Sequence, residues 1–139
     1  MTRVLADTNL ILDVVLERKP HAEGSTAVLR SIESRALKGF VSAHAVTTIH
    51  YVHRKSLGLP SADKAISGIL RIFEVALIDH LVFDHALHLA FPDFEDAVTA
   101  AAAKRAECDY IVTRNTRDFR KSPVPCLSPE ALLPILAKP

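Results

Sequence analysis

Carboxylate and amide side chains follow the short apolar runs of this chain at separate points. Asp7 and Asn9 come directly after the first run, at 3–6, and Asn115 and Asp118 come after the run that contains the strongest β-forming residues. Oxygen ligands of this kind suit Mg²⁺ or Mn²⁺ better than zinc. If the fold brings these side chains together, they could hold a divalent cation.

A second acidic group lies between these two points. Asp93, Glu95 and Asp96 follow Pro92 at the start of an alanine-rich stretch, and residues 93 and 96 share one face of a helix because they are three apart. Acids at a helix start also complement the helix dipole, and one of them can cap the first turn. The group is therefore a candidate for metal binding or for a purely structural role.

The elements that must position these acids follow from hydrophobic spacing and from Gly and Pro breaks. Short apolar runs predict strands at 3–6, 40–41, 75–78, 110–112 and 124–127, and helical spacing predicts helices at 10–16, 22–37, 43–55, 61–73, 81–90, 94–105 and from 129. Ser42 is a plausible N-cap for the helix at 43–55. Alternating strands and helices predict an α/β fold with a mostly parallel sheet covered on both faces. The functional crevice of such a sheet lies outside the carboxyl ends of its strands, where the acids should meet.

Composition sets the class of protein. The 139 residues are 49% apolar and 24% charged, which predicts one packed domain over 1–139 and argues against extended disorder. No apolar run approaches the roughly 20 residues that a membrane helix needs, and no leader peptide opens the chain, so we expect a cytosolic protein. Cys108 and Cys126 then stay reduced. The net charge of +1 gives no global attraction for a polyanion, so any nucleic-acid contact must be local.

Three motifs in this order resemble those of PIN-domain ribonucleases, which include the VapC-like toxins. They are V-L-A-D-T-N at 4–9, D-A-V at 96–98, and I-V-T-R-N at 111–115 followed by D-F at 118–119. Each is weak alone, but together they cover nearly the whole chain. The resemblance implies a three-layer α/β/α sandwich with a mainly parallel sheet and an acidic pocket for one or two Mg²⁺ or Mn²⁺ ions. It also implies RNA as the substrate, a possible antitoxin partner and a homodimer.

The resemblance assigns roles to particular residues of this chain. The metal-holding acids would be Asp7, Asp96, Asp118 and the less central Asp93, and the catalytic set would be Asp7, Asp96, Asn115 and Asp118. The substrate-binding residues would be Asn9, Thr48, Thr113, Arg114 and Arg117. Arg120 and Lys121 extend the basic side chains around the last motif, either as a rim for RNA phosphates or as an ordinary solvated loop.

The chain departs from the family at Thr48, where a glutamate usually follows the second strand. One carboxylate fewer should weaken metal binding unless Asp93 or Glu95 compensates. The alternative to an enzyme is therefore a non-catalytic module that binds RNA or a protein. A receiver-like α/β domain fits less well, because it needs paired acids after the first strand, where only Asp7 stands. Neighbouring His50 and His53 could lie at the pocket rim, although a solvated or core position is the commoner use of histidine.

Overall fold

A parallel sheet forms the centre of the protein, and the computed structural model describes residues 1–136. Its five strands are β1 (Arg3–Ala6), β2 (Lys38–Ser42), β3 (Phe73–Ala76), β4 (Tyr110–Val112) and β5 (Cys126–Leu127), in the spatial order β3-β2-β1-β4-β5. Every neighbouring pair is parallel, so all five carboxyl ends lie at one edge. The predicted α/β class with a mainly parallel sheet is confirmed.

Helices cover both faces of this sheet. They are α1 (Thr8–Val15), α2 (Ala22–Glu33), α3 (Ala43–Leu57), α4 (Leu59–Ile72), α5 (His80–His88), α6 (Phe94–Arg105) and α7 (Pro129–Leu136), with a 3₁₀ helix at Thr116–Phe119. Side chains of a strand alternate between faces. Val4 and Ala6 therefore pack with α1 to α4 and α7, whereas Leu5 packs with α5 and α6. The result is the three-layer sandwich that the sequence predicted.

The alanine run of α6 allows this helix to lie deep in the second face. Every residue from Ala97 to Ala103 is buried, which leaves little room for larger side chains between α6 and the sheet. Alanine is also the strongest helix former, so propensity and packing favour the same structure. The start of α6, which carries Asp93, Glu95 and Asp96, is thereby fixed relative to β1 and β4.

Several element boundaries differ from the predicted ones. α2 ends at Glu33 rather than at 37, because Arg35 adopts a left-handed φ of 65° and Leu37 turns into the core. α4 begins at Leu59, directly after Gly58, whose φ of 89° turns the chain between two helices. β3 starts two residues early because Phe73 pairs with Gly39. β5 is only two residues long, since the prolines at 123 and 125 have no N–H for a ladder.

Two further expectations concern the chain's environment. Both cysteines are free, with Cys108 buried and Cys126 half-buried. Within residues 1–136, every helix is too short or too polar to cross a bilayer.

Candidate active site

One pocket at the carboxyl edge of the sheet collects most of the predicted site residues. Its volume is about 380 Å³, and it is open to solvent on one side. We call it the acidic pocket. Its polar lining comprises Asp7, Thr8, Asn9, Arg18, His44, Thr48, Asp93, Glu95, Asp96, Thr99, Asn115 and Asp118. Seven of the predicted residues, namely Asp7, Asn9, Thr48, Asp93, Asp96, Asn115 and Asp118, thus share one pocket.

Asp7 lies at the floor of the acidic pocket and is held there by two hydrogen bonds. The backbone N–H of Thr8 donates to Oδ1 at 2.9 Å, and the Thr113 hydroxyl donates to Oδ2 at 3.0 Å. The N–H of Asn115 donates to the Thr113 oxygen at 3.0 Å, which directs the hydroxyl proton towards Asp7. Burial raises the pKa of Asp7, and these hydrogen bonds oppose that rise. The side chain is therefore fixed in one orientation.

Asp96 and Asp93 occupy the first turn of α6 on the opposite wall. Asp93 is the N-cap, and its Oδ1 accepts a hydrogen bond from the backbone N–H of Asp96 at 3.1 Å. One oxygen of Asp93 therefore has the helix-capping role that the sequence left open as the alternative to metal binding. Within residues 1–136, the Asp96 carboxylate caps no helix end. Burial and the charges of Asp93, Asp7, Asp118 and Glu95 raise its pKa to about 7.

The third wall comes from α3, which follows β2. Ser42 is the N-cap residue of α3, as predicted, although its side chain makes no capping hydrogen bond. Thr48 lines the pocket, and its hydroxyl donates to the backbone carbonyl of His44 at 3.3 Å. Its oxygen is thus turned towards its own helix. His44 lies one turn earlier and also lines the pocket, a position that the sequence analysis did not assign to it.

The other two histidines of α3 lie outside the acidic pocket. His50 pairs with the exposed Asp63 at 2.7 Å, and the buried His53 lies 2.7 Å from the Ser61 hydroxyl. The commoner, structural use of histidine is the correct one at both positions.

Burial lowers the pKa of His44, so its ring is mostly neutral at neutral pH and adds no positive charge to the pocket. The four-residue spacing between His44 and Thr48 was the signal that could have identified it.

Three predicted substrate-binding residues are not found in the acidic pocket. Thr113 is completely buried, so it orients Asp7 and is not placed to touch RNA. Arg114 turns away from the pocket, and its Nε lies 3.4 Å from Oδ2 of Asp13. Arg117 lines a neighbouring groove. Thr113 and Arg114 are adjacent in the chain yet face different surroundings, and Arg117 belongs to the 3₁₀ helix.

Asp13 and Arg18 were missed by the sequence reasoning. Asp13 of α1 is completely buried, with Arg114 on one side and Arg18 at 3.9 Å on the other. Within residues 1–136 neither of its carboxylate oxygens accepts a hydrogen bond. This ion pair joins α1 to the loop after β4, which carries Asn115 and Asp118. A single acid in an apolar helical pattern gave no indication of such a role.

The donors of the acidic pocket suit a hard divalent cation in chemistry and in charge. Five carboxylates line it, and within residues 1–136 none of these five forms an ion pair with a basic side chain. Burial, together with repulsion from the other four carboxylates, raises the pKa of Asp96, and a bound cation would relieve the repulsion. In the same part of the chain, no three acidic, histidine or cysteine side chains are already grouped closely enough to hold an ion. Binding would therefore require some of these side chains to rotate.

Comparison with known proteins gives concordant results. Residues 3–117 match the family model for the PIN domain. The chain is 25% identical over 133 residues to Ribonuclease VapC1 of Aquifex aeolicus (strain VF5), a match that covers 92% of this chain and 91% of that protein.

Solved structures share the fold. The crystal structure of VapBC2 from Rickettsia felis, bound to a DNA fragment from their promoter, superposes with a TM-score of 0.71 at 14% identity, covering 91% of this chain and 98% of the other. A toxin–antitoxin complex from Klebsiella pneumoniae gives a TM-score of 0.69 at 20% identity, covering 91% and 97%. At such identities these structures bear on the fold alone. Because the PIN-domain model matches residues 3–117, which is most of the chain, the chain belongs to the PIN-domain family.

Proposed function

We propose that this protein is a cytosolic ribonuclease that uses Mg²⁺ or Mn²⁺ to hydrolyse phosphodiester bonds of RNA. The observation that carries the proposal is the acidic pocket, in which Asp7, Asp96 and Asp118 come from three different elements. The similarity to a protein named as a ribonuclease supports the same reaction class. Because a bound divalent cation would supply an activated water, hydrolysis needs no nucleophilic cysteine or serine.

Different side chains in and around the acidic pocket would have different roles in this reaction. Asp7, Asp96 and Asp118 would hold the ion, with Asp93 contributing the oxygen that does not cap α6. When bound, Mg²⁺ or Mn²⁺ supplies an activated water and neutralises charge that develops on the phosphoryl oxygens. Thr113 keeps Asp7 in a single orientation. The amides of Asn9 and Asn115 can donate to the substrate from the pocket wall.

We also propose that the protein acts as the toxin of a toxin–antitoxin pair. A similar solved structure is described as a toxin–antitoxin complex, and the relative from Aquifex aeolicus bears a VapC name. A protein antitoxin is therefore the partner to seek first, and a homodimer is the assembly that accompanies the proposal. Co-expression with the product of a neighbouring short reading frame, followed by co-purification, tests the pairing.

A catalytically weak PIN module that binds RNA or a protein is the second candidate. Thr48 favours it, because the pocket wall carries a neutral hydroxyl, bonded to its own helix, at the place of the usual family glutamate. The two candidates make opposite predictions for RNA cleavage and similar predictions for binding.

A cleavage assay separates these candidates. Fluorescent single-stranded RNA is incubated with the protein in 5 mM Mn²⁺, in 5 mM Mg²⁺ or in excess EDTA, conditions on the order of those that saturate protein Mg²⁺ sites. The enzyme predicts cleavage that EDTA and Asp7→Asn each abolish. Asp84→Asn removes an exposed acid of α5 that lies outside the acidic pocket and serves as the matched control. Equal cleavage by wild type and Asp7→Asn would contradict the proposal.

A further inference from the structure

A second groove, of about 280 Å³, opens beside the acidic pocket. We call it the basic groove. It is lined by Phe91, Pro92, Arg117, Asp118, Arg120 and Lys121. Asp118 lines both cavities, so the basic groove adjoins the acidic pocket at this residue. A linear ligand that reaches the carboxylates can therefore extend into the groove.

Two segments form the walls of the basic groove. The connection between α5 and α6 supplies Phe91 and Pro92, and the 3₁₀ helix with the turn after it supplies the basic side chains. Lys121 joins them, because its Nζ donates to the backbone carbonyl of Ala90 at 3.3 Å. The Phe91 ring packs edge-on against Phe119, with ring centroids 6.0 Å apart. Phe119 also lines the acidic pocket, so packing links the two cavities as well.

Charge distinguishes the basic groove from its neighbour. The basic groove is lined by three cations, Arg117, Arg120 and Lys121, and by one carboxylate, that of Asp118. The acidic pocket is lined by five carboxylates. Within the described chain, none of these three cations forms an ion pair. Both arginines are exposed, so their guanidinium groups are available to a ligand. Guanidinium groups bind phosphate oxygens through paired hydrogen bonds.

The apolar side of the basic groove suits the rest of a nucleotide. Phe91 is partly exposed, and its contact with Phe119 fixes the plane of its ring. Aromatic faces bind unstacked nucleobases by stacking, with little dependence on base identity. A groove that combines free guanidinium groups with a fixed ring matches both parts of a nucleotide, whereas an acidic peptide would use the cations alone.

We propose that the basic groove binds the nucleotide of single-stranded RNA that neighbours the scissile phosphate. Arg117 and Arg120 contact its phosphate, and Phe91 stacks on its base. The proposal rests on the proposed function for the identity of the ligand. It adds the residues that hold the RNA outside the acidic pocket, and these residues act on affinity rather than on the chemical step.

The first experiment measures binding without cleavage. Fluorescence anisotropy follows an octamer of uridylate in EDTA, over a series of salt concentrations, for wild type and for Arg117→Gln/Arg120→Gln. Loss of both guanidinium contacts to this one phosphate should weaken binding about tenfold and reduce the slope of log K against log salt by about 0.7, the contribution of one neutralised phosphate in single-stranded nucleic acid. Arg117→Lys/Arg120→Lys, which keeps both charges, should recover most of that slope.

Arg30→Gln/Arg54→Gln is the matched control. It removes two exposed arginines of α2 and α3 that line neither cavity, so it should leave affinity and slope unchanged. Thermal melting verifies that each variant is folded. Equal binding by wild type and Arg117→Gln/Arg120→Gln, or an equal loss in the control, would overturn the proposal. Tighter binding of oligoglutamate than of the RNA octamer would overturn it as well, in favour of an acidic peptide.

The second experiment tests the base. Wild type should bind the uridylate octamer at least about fivefold more tightly than an abasic octamer of the same length, since stacking on an aromatic side chain has that order of effect. Phe91→Leu keeps an apolar side chain against Phe119 and should remove the difference. An unchanged preference in Phe91→Leu would show that the base does not contact this wall, which overturns the nucleotide assignment.

The two proposals can fail separately. If wild type binds the octamer through the basic groove yet cuts no RNA in Mn²⁺, the proposed hydrolysis is wrong and the groove stands. If wild type cuts RNA and Arg117→Gln/Arg120→Gln cuts it with unchanged KM, the groove proposal is wrong and the enzyme stands.

Discussion

Asp96 is half-buried and lies among the other four carboxylates of the acidic pocket. Its pKa rises from 3.8 to about 7, chiefly through burial and the charge of Asp93. An acid with a raised folded pKa binds more protons in the native than in the unfolded state, so it lowers stability increasingly as pH rises from about 4 to about 7. Above that window the full penalty is present.

Asp96→Asn should therefore stabilise the protein in the absence of metal. Because Asp96 is only half-buried, solvent screening limits the gain to about 1 kcal/mol at pH 8, and the gain should be close to zero near pH 4. Urea unfolding at both pH values, with Asp84→Asn as the control, measures it. Destabilisation at pH 8 would mean that the Asp96 carboxylate has a structural role.

Thr48 tests the missing carboxylate of the acidic pocket. Thr48→Glu should tighten Mn²⁺ binding and raise RNA cleavage, because a further carboxylate holds a divalent ion more firmly. Without metal it should destabilise the fold by about 1 kcal/mol, because it adds a like charge to a crowded pocket. Calorimetric Mn²⁺ titration and a cleavage assay measure the two effects.

Thr47→Glu is a closely matched control for this change. Thr47 precedes Thr48 on α3 and also donates its hydroxyl to the His44 carbonyl, but it is exposed and lies outside the acidic pocket. It should alter neither Mn²⁺ affinity nor cleavage. If Thr48→Glu binds Mn²⁺ no better than Thr47→Glu, position 48 is not a ligand position. If it binds better and still cuts nothing, the binding-module candidate gains.

At the scale of elements, the ion pair between Asp13 and Arg114 joins α1 to the loop that carries Asn115 and Asp118. Arg114→Leu leaves the fully buried Asp13 carboxylate with only the more distant Arg18, and should cost about 3 kcal/mol. Asp13→Leu/Arg114→Leu should recover much of that loss, because no buried charge then remains unpaired. Urea unfolding of both single variants and the double variant gives the coupling energy. Strict additivity would contradict a direct pairing of these residues.

At the scale of the whole molecule, a cation in the acidic pocket would join opposite faces of the sandwich. Asp7 directly follows β1, Asp96 lies in the first turn of α6, and Asp118 belongs to the 3₁₀ helix. A ligand that binds only the folded state stabilises it by about 2.7 kcal/mol at 100 times its dissociation constant. In a domain of this size that gain raises the melting temperature by roughly 8 °C.

Mn²⁺ at millimolar concentration should therefore shift the melting curve upward, and Asp7→Asn should reduce the shift. Asp84→Asn should retain it in full. Differential scanning calorimetry at pH 7.5 measures all three proteins. A melting temperature that is the same with Mn²⁺ and with EDTA would exclude a folded-state metal site in the acidic pocket.

The order of elements and the acidic lining of the pocket could be predicted from sequence. Apolar periodicity is a local property, so the alternation of strands and helices, and with it the parallel sheet, was correct. Asp7 directly follows a predicted strand and Asp96 lies at a predicted helix start. Both were therefore expected at the carboxyl edge of the sheet. Boundaries were less accurate at β3 and β5, where the start of a strand depends on pairing with a distant neighbour or on the lack of proline N–H donors.

The sequence by itself determined which elements form and that acids follow them, since both depend on residues close together in the chain. Only the tertiary structure decided where neighbouring side chains point. Thr113 hydrogen-bonds to Asp7, and Arg114 pairs with Asp13. Arg117 lines the basic groove. The tertiary structure also places His44 in the acidic pocket. The orientation of each of these side chains depends on a contact with a residue far away in sequence. A local sequence pattern cannot predict it, because the contact partner belongs to another element.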